Sequence, residues 1–191
     1  MGKIYQRPLW SPGIDTYSNV GFAKLYLEKT AVTAADFLND KVLPFYDSYG
    51  ISLIRTLTDR GTEYCGIREN HPYQLFLYLN GIEHTKTKAS HPQTNGCTER
   101  LNQTLLEECY KVAFRKKVYS SIEEIQVDLD EFLIGYNTNR TNQGKYCKGR
   151  TPMDTFKEGL DLCGQYVYDR GDRRSCIGRG IGGLTVNANR D

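Results

Sequence analysis

Apolar positions recur along this chain with two different periods. In residues 14–28, IDTYSNVGFAKLYLE, the spacing of Val20, Phe22, Leu25 and Leu27 among Tyr and Phe predicts one or two strands, with SNVG as a turn. The SPG at Ser11, Pro12 and Gly13 breaks the pattern just before it. TAADFLNDKVLPFYDSYG switches to helical spacing at Ala34, Phe37, Leu38, Val42 and Phe45. Thr33 is placed to cap that helix with Asp36 three residues on, Pro44 to end or kink it, and Gly50 to close it. Residues 51–59, ISLIRTLTD, read as a buried strand that ends on an acid, followed by the Gly-punctuated loop RGTEYCG. HPYQLFLYLNG predicts a helix with Pro72 in its first turn and Gly81 at its C-cap. IEHTKTK alternates and suits an edge strand. The loop SHPQTNG then leads into two helices. One carries Leu101, Leu105, Cys109 and Val112, and the other carries Ile122, Ile125, Leu129, Phe132, Leu133 and Tyr136 after a cap at Ser120 or Ser121.

The order is therefore strand, strand, helix, strand, helix, strand, helix, helix, which implies an α/β sheet with helices packed on it. From Lys157 the pattern stops. The last 35 residues hold 7 of the 18 glycines without sustained periodicity, so a core over residues 1–156 and a poorly ordered tail over residues 157–191 are expected. GRGIGG in the tail lacks the Lys-Ser/Thr of a phosphate loop and has no βαβ unit before it.

Length and composition narrow the class. At 191 residues with 39% hydrophobic residues the chain suits one globular domain. No apolar run is long enough to span a membrane, and MGKIYQRPLW lacks the apolar core of a signal peptide, so the expected compartment is the cytoplasm. The six cysteines show no metal-ligand spacing and read as free thiols. A net charge of +2, from 25 basic and 23 acidic residues, does not announce a nucleic-acid binder. Basic surface must come from local clusters such as Lys86 with Lys88, Arg115 to Lys117, and Arg140 with Lys145, Lys148 and Arg150.

Two acids stand out by position. Asp59 ends a buried strand, and Glu99 opens a helix after a Gly-containing loop. In open α/β sheets functional groups gather at the carboxyl ends of strands, so the two can meet across the sheet. Carboxylates held together repel, and Mg2+ or Mn2+ relieves that repulsion through hard oxygen ligands. Plainer readings stand beside this one. Asp59 can start an Asp-turn, and Glu99 can be a first-turn acid that favours the positive end of its helix.

The blocks IDTYSNVGFAKLY, LTDRGTEYCG, SHPQTNGCTERLNQTLLEE and YNTNRTNQGKYCKGRTPMDTF, taken in that order, resemble the catalytic core of bacterial insertion-sequence transposases. Those proteins stand with retroviral-type integrases in the DDE recombinase superfamily, and the resemblance covers residues 14–156. It implies an RNase H-like mixed sheet flanked by helices. It implies metal-dependent DNA cleavage and strand transfer, with DNA (element ends and target) as partner and a homo-oligomer as the working form. Asp59 and Glu99 match two of the family's three metal-binding carboxylates, for Mg2+ or Mn2+. The resemblance places Lys86, Lys88, His91, Gln93, Asn95 and Arg100 to contact DNA. Arg140, Asn142 and Gln143 fall in the block that closes the core, where packing or helix-end capping is expected.

The third carboxylate departs from the pattern. The family's first Asp lies on a central first strand, upstream of the strand that IDTYS resembles, and the 14 residues before Asp15 contain no acid. Either Asp15 substitutes, or the first strand is missing and Asp15 is a strand acid near the site; the second is the preferred expectation. Together with the unusual RPLWSPG and the tail, this is the pattern of a truncated copy of a mobile element, without the helix-turn-helix region such transposases carry ahead of the core. A sheet without its central strand loses ladder hydrogen bonds, which predicts marginal stability. The function expected is therefore an integrase-type core of impaired activity. The alternative is an inactive remnant that only binds DNA or another protomer, and a weaker third reading is a nuclease of RNA–DNA hybrids.

Overall fold

The computed structural model describes residues 8–66, 71–87, 96–170 and 183–186. The chain begins with a hairpin of β1 (Leu9–Asp15) and β2 (Gly21–Tyr26), antiparallel from Leu9 opposite Tyr26 to Ile14 opposite Gly21. The Asp15 N–H donates to the Val20 carbonyl at 2.8 Å and closes the turn. Asn19 sits there at φ 61°, a conformation that asparagine tolerates better than most residues.

The expected break at Ser11–Gly13 does not occur, because β1 runs through Pro12 and Gly13. The Asp15 N–H points to the β2 side, so by strand alternation the Pro12 nitrogen points to the other side. On that side the described pairing starts only at Gly13, so the missing N–H leaves no ladder bond unmade.

The first helix, α1 (Ala31–Phe37), is capped by Thr30 rather than by Thr33. Thr30 accepts the Thr33 N–H at 3.2 Å, and Thr33 Oγ1 accepts the Thr30 N–H at 2.9 Å, a reciprocal capping box. Asp36 is drawn away instead, accepting from Lys24 Nζ at 2.8 Å and the Tyr26 hydroxyl at 2.6 Å on β2. A π-helical turn (Leu38–Val42) leads into α2 (Leu43–Ser48). Pro44, the second residue of α2, has no N–H for the preceding turn, and a widened turn ahead of it absorbs the ring without ending the helical path.

The strand β3 (Arg55–Thr58) is shorter than the 51–59 run that periodicity suggests, and it stops one residue before Asp59. Then come α3 (Pro72–Leu79), with Pro72 in its first turn, and β4 (Glu83–Lys86), parallel to β3 from Arg55 opposite Glu83 to Thr58 opposite Lys86. The second half is helical. It holds α4 (Gly96–Thr104), a π-helical segment (Leu105–Tyr110), α5 (Lys111–Lys116), and α6 (Ile122–Thr138), capped by Ser121 through the Glu124 N–H.

Two features stand where a poorly ordered tail is expected. The helix α7 (Pro152–Arg170) continues past Lys157, because Phe156 is buried in the core and Leu160 packs against it, while Gly159 lies on the buried side. The strand β5 (Gly183–Val186) enters the middle of the sheet, whose order is β2-β1-β5-β3-β4. It pairs antiparallel with β1, Gly13 opposite Val186 to Asp15 opposite Leu184, and parallel with β3, Arg55 opposite Gly183 to Thr58 opposite Val186. No strand precedes β1 among the described residues, so the slot that the resemblance assigns to a first strand is held by a segment from after α7. The ladder bonds whose loss implies marginal stability are made here by β5.

The mixed sheet is covered on both faces. Val20, Phe22, Leu184 and Val186 pack with Phe37, Leu38, Tyr46, Tyr73 and Phe156 on one face. Trp10, Ile14, Ala23 and Leu25 pack with Leu101, Leu105, Leu129 and Leu133 on the other. The strand β2 is a sheet edge, and α6 seals it with two amides. Asn137 accepts the Gly21 N–H at 2.8 Å and donates to the Gly21 carbonyl at 3.0 Å, while Gln126 accepts the Leu25 N–H at 2.8 Å. Edge strands left bare invite mispairing. Asn137→Ala orphans both polar groups of buried Gly21 and is expected to lower unfolding free energy by about 2 kcal/mol, read from urea melts. No helix among the described residues is long and apolar enough to cross a membrane.

Candidate active site

The site begins where β3 ends. Thr58 is buried, and its hydroxyl donates to the Asp59 carbonyl at 2.9 Å. That commits His84 Nε2, 2.8 Å away on β4, to donate to Thr58 Oγ1. The backbone at Asp59 is thus held by two strands, and its half-buried carboxylate projects just beyond them. Asp59 Oδ1 accepts the Gly61 N–H at 2.9 Å, the Asp-turn that its position suggests. The Gly61 carbonyl then accepts the N–H groups of Tyr64 and Cys65, both at 3.0 Å. Tyr64 is buried edge-on against Tyr73 with ring centroids 5.2 Å apart, which anchors the loop to α3.

Burial pushes the His84 pKa down to about 4 from 6.5, with the charges of Lys86 and His71 adding to it. A depressed folded-state value means that stability is fully present above pH 6.5 and is lost as pH falls through about 4. In His84→Gln the acid limb of a stability-versus-pH curve is expected to flatten over that window, read from urea melts at a series of pH values.

Sequence reasoning missed Glu63, which stands in the same RGTEYCG loop. Glu63 is 7% exposed, and its Oε1 has no hydrogen-bond partner among the described residues. Its carboxyl carbon and Asp59 Oδ1 lie 2.8 Å and 3.1 Å from the point a Gly61 Cβ would occupy, so their separation cannot exceed the sum of those distances. Lys29 Nζ approaches Glu63 Oε1 at 3.6 Å. The only signal in the sequence is an acid four residues after Asp59 with a glycine between them.

Asp15 takes no part in such a pair. It is 1% exposed; Oδ1 accepts the Tyr17 N–H at 3.1 Å and the Ser18 N–H and hydroxyl at 2.7 Å, and Oδ2 accepts the Tyr46 hydroxyl at 2.7 Å. Burial raises its pKa, against the lowering effect of the Ser18, Tyr46 and Tyr17 donors. With four protein donors on its two oxygens, Asp15 is a structural carboxylate, and the substitution of Asp15 for the missing ligand is not supported.

Glu99 is exposed in the first turn of α4, with Thr98 and Leu101 beside it buried. Arg100 is exposed on the same helix, and Lys86 is exposed at the end of β4, opposite Thr58. Lys88, His91, Gln93 and Asn95 lie outside the described residues. No group of three His, Cys, Asp or Glu side chains able to hold a metal ion occurs among the described residues. In the closing block, Arg140 pairs with Glu108 at 2.6 Å, and Asn142 Oδ1 accepts the Gly144 N–H at 2.8 Å, both structural roles.

Residues 80–152 match the family "Integrase core domain". The "Putative integrase ORF3" of Spiroplasma virus SpV1-C74 is 25% identical over 157 residues, which is 78% of this chain and 41% of that protein. The chain thus spans about two fifths of the length of this relative. Among solved structures, the catalytic core domain of BIV integrase superposes with a TM-score of 0.59 at 18% identity, over 85% of this chain and 94% of that one. The HTLV-2 integrase catalytic core in complex with magnesium gives 0.58 at 15% identity, over 81% and 88%. The simian T-cell lymphotropic virus intasome in complex with the PP2A regulatory subunit B56 gamma gives 0.61 at 19% identity, over 81% and 50%.

Proposed function

We infer that this chain, an integrase-type core of the DDE kind with an RNase H-like fold, acts on DNA in integration or transposition by metal-dependent phosphodiester cleavage and strand transfer. The observation that carries this reading is Asp59, fixed at the carboxyl end of β3 in the sheet of an integrase core, in a chain whose residues 80–152 match that family. The donor set fits a hard divalent cation: Asp59 and Glu99 would supply carboxylate oxygens, and the space beside Asp59 Oδ1 that a side chain at position 61 would fill is taken by a second carboxylate, that of Glu63. Bound there, Mg2+ or Mn2+ supplies charge for the attacking and leaving oxygens of an in-line displacement. The protein's own part is orientation. The Thr58–His84 bond and the Gly61 N–H set the direction of the Asp59 carboxylate, and α4 carries Glu99 and Arg100, which follow His91, Gln93 and Asn95 in the sequence. Arg100, Lys86 and Lys88 are assigned to backbone phosphates, where cations position a duplex without reading its sequence.

The inactive-remnant reading has two observations in its favour. The central strand, Gly-Leu-Thr-Val, carries no carboxylate, and no three-ligand cluster occurs among the described residues. Incubation of the purified chain with Mg2+ or Mn2+ and element-end duplex separates the two. Nicking is expected, and DNA binding without nicking selects the remnant.

A further inference from the structure

We propose that Glu63 is a further carboxylate of the cation site at Asp59, a proposal that rests on the metal reading of Asp59 given above. Three independent features of the molecule converge on it. A carboxylate this buried is rarely left without hydrogen bonds, since the desolvation of a charge goes uncompensated. Glu63 is 7% exposed, and one of its two oxygens, Oε1, has no hydrogen-bond partner among the described residues. Its carboxylate is directed to the same small volume as Asp59 Oδ1, over the face of Gly61 where a methyl group would collide with it. Two carboxylates at this range repel, and the local answer is a positive charge: Lys29 Nζ stands 3.6 Å from Glu63 Oε1. That distance is longer than a charge-assisted hydrogen bond, so Lys29 answers the field of the pair without satisfying the oxygen.

The loop explains how Glu63 is held there. Tyr64, its neighbour, is pinned under Tyr73, and the turn from Gly61 to Cys65 fixes the backbone between the two acids. A divalent cation between Asp59 and Glu63 would gain ligands that are already ordered, and the ordering entropy is met by folding rather than by binding. Glu63 in this role is a ligand in addition to Asp59, in a chain whose central strand carries no carboxylate.

The competing account makes Glu63 and Lys29 a structural ion pair. Calorimetric titration of the full chain with Mn2+, in the absence of DNA, separates them when run on wild type, Asp59→Asn, Glu63→Gln, Lys29→Met and Gly61→Ala, each checked for folding by circular dichroism. Glu63→Gln is expected to weaken Mn2+ binding about tenfold or more. Gly61→Ala weakens it through the collision of its methyl with the Glu63 carboxylate, and Lys29→Met strengthens it by removing a competing cation. If Asp59→Asn weakens binding while Glu63→Gln, folded, leaves it unchanged, the role of Glu63 is overturned and the reading of Asp59 stands. If wild type binds no Mn2+, or Asp59→Asn binds as wild type does, both are overturned. Should Glu63→Gln fail to fold, Gly61→Ala and Lys29→Met decide, and unchanged affinity in both overturns the proposal.

Discussion

Leu184→Asp is expected to leave the chain unfolded at room temperature. Leu184 is fully buried in the central strand, opposite Asp15 on β1 and Thr56 on β3. Its Cδ1 lies 3.4 Å from the point a Gly13 Cβ would take, within the layer formed by Phe37 and Phe156. An aspartate there places a charge among apolar groups, and it stands next in the ladder to the buried carboxylate of Asp15. Native domains hold about 5–15 kcal/mol in all, so one unpaired buried charge suffices. Leu184→Ala should keep the fold and lose about 3 kcal/mol, the usual cost of a leucine-sized cavity. Leu79→Asp, on the exposed side of α3, should change stability by less than about 0.5 kcal/mol. Urea melts of the three variants check the ranking. Wild-type-like stability in Leu184→Asp would mean that β5 is not in the central slot.

The second large effect concerns chemistry rather than folding. Asp59→Asn should cut metal-dependent DNA nicking by more than about a hundredfold, because even the outer-shell partners of a metal are worth 10–100-fold. The fold should persist. An asparagine Oδ1 still accepts the Gly61 N–H, and the repulsion with Glu63 is relieved, so the melting temperature should hold or rise slightly. The pairing of lost nicking with retained stability is the signature to look for. A nicking rate within a few fold of wild type in Asp59→Asn would show that the activity arises elsewhere in the chain.

What could be seen in the sequence follows from how locally each element is determined. The helices α3 and α6 are set by their own caps and apolar stripes, Pro72 and Ser121 at their starts, and were legible. The placement of Asp59 was equally legible, since a strand ending on an acid before Arg-Gly is a short-range pattern. The cap of α1 moved by three residues because Asp36 found partners on β2, a contact that no local window contains. Gly183–Val186 was illegible for the same reason. Four residues in a glycine-rich stretch have no periodicity to read, and their extended state is imposed by β1 and β3 on either side. Glu63 gave no local signal, because its burial depends on Tyr64 docking under a distant helix.

The central position of β5 has a consequence for how the chain is made. Gly183 accepts from the Thr16 hydroxyl across a sequence separation of 167, and both inner edges of the sheet, on β1 and on β3, wait for the same segment. During synthesis at about 5–20 residues per second, the β1–β2 and β3–β4 pairs emerge as two half-sheets with open inner edges. Neither can join the other until the ribosome has passed position 186. Contacts this remote in sequence form slowly, so the interval in which those edges are open to chaperones, or to each other in neighbouring nascent chains, is built into the order in which the strands are written.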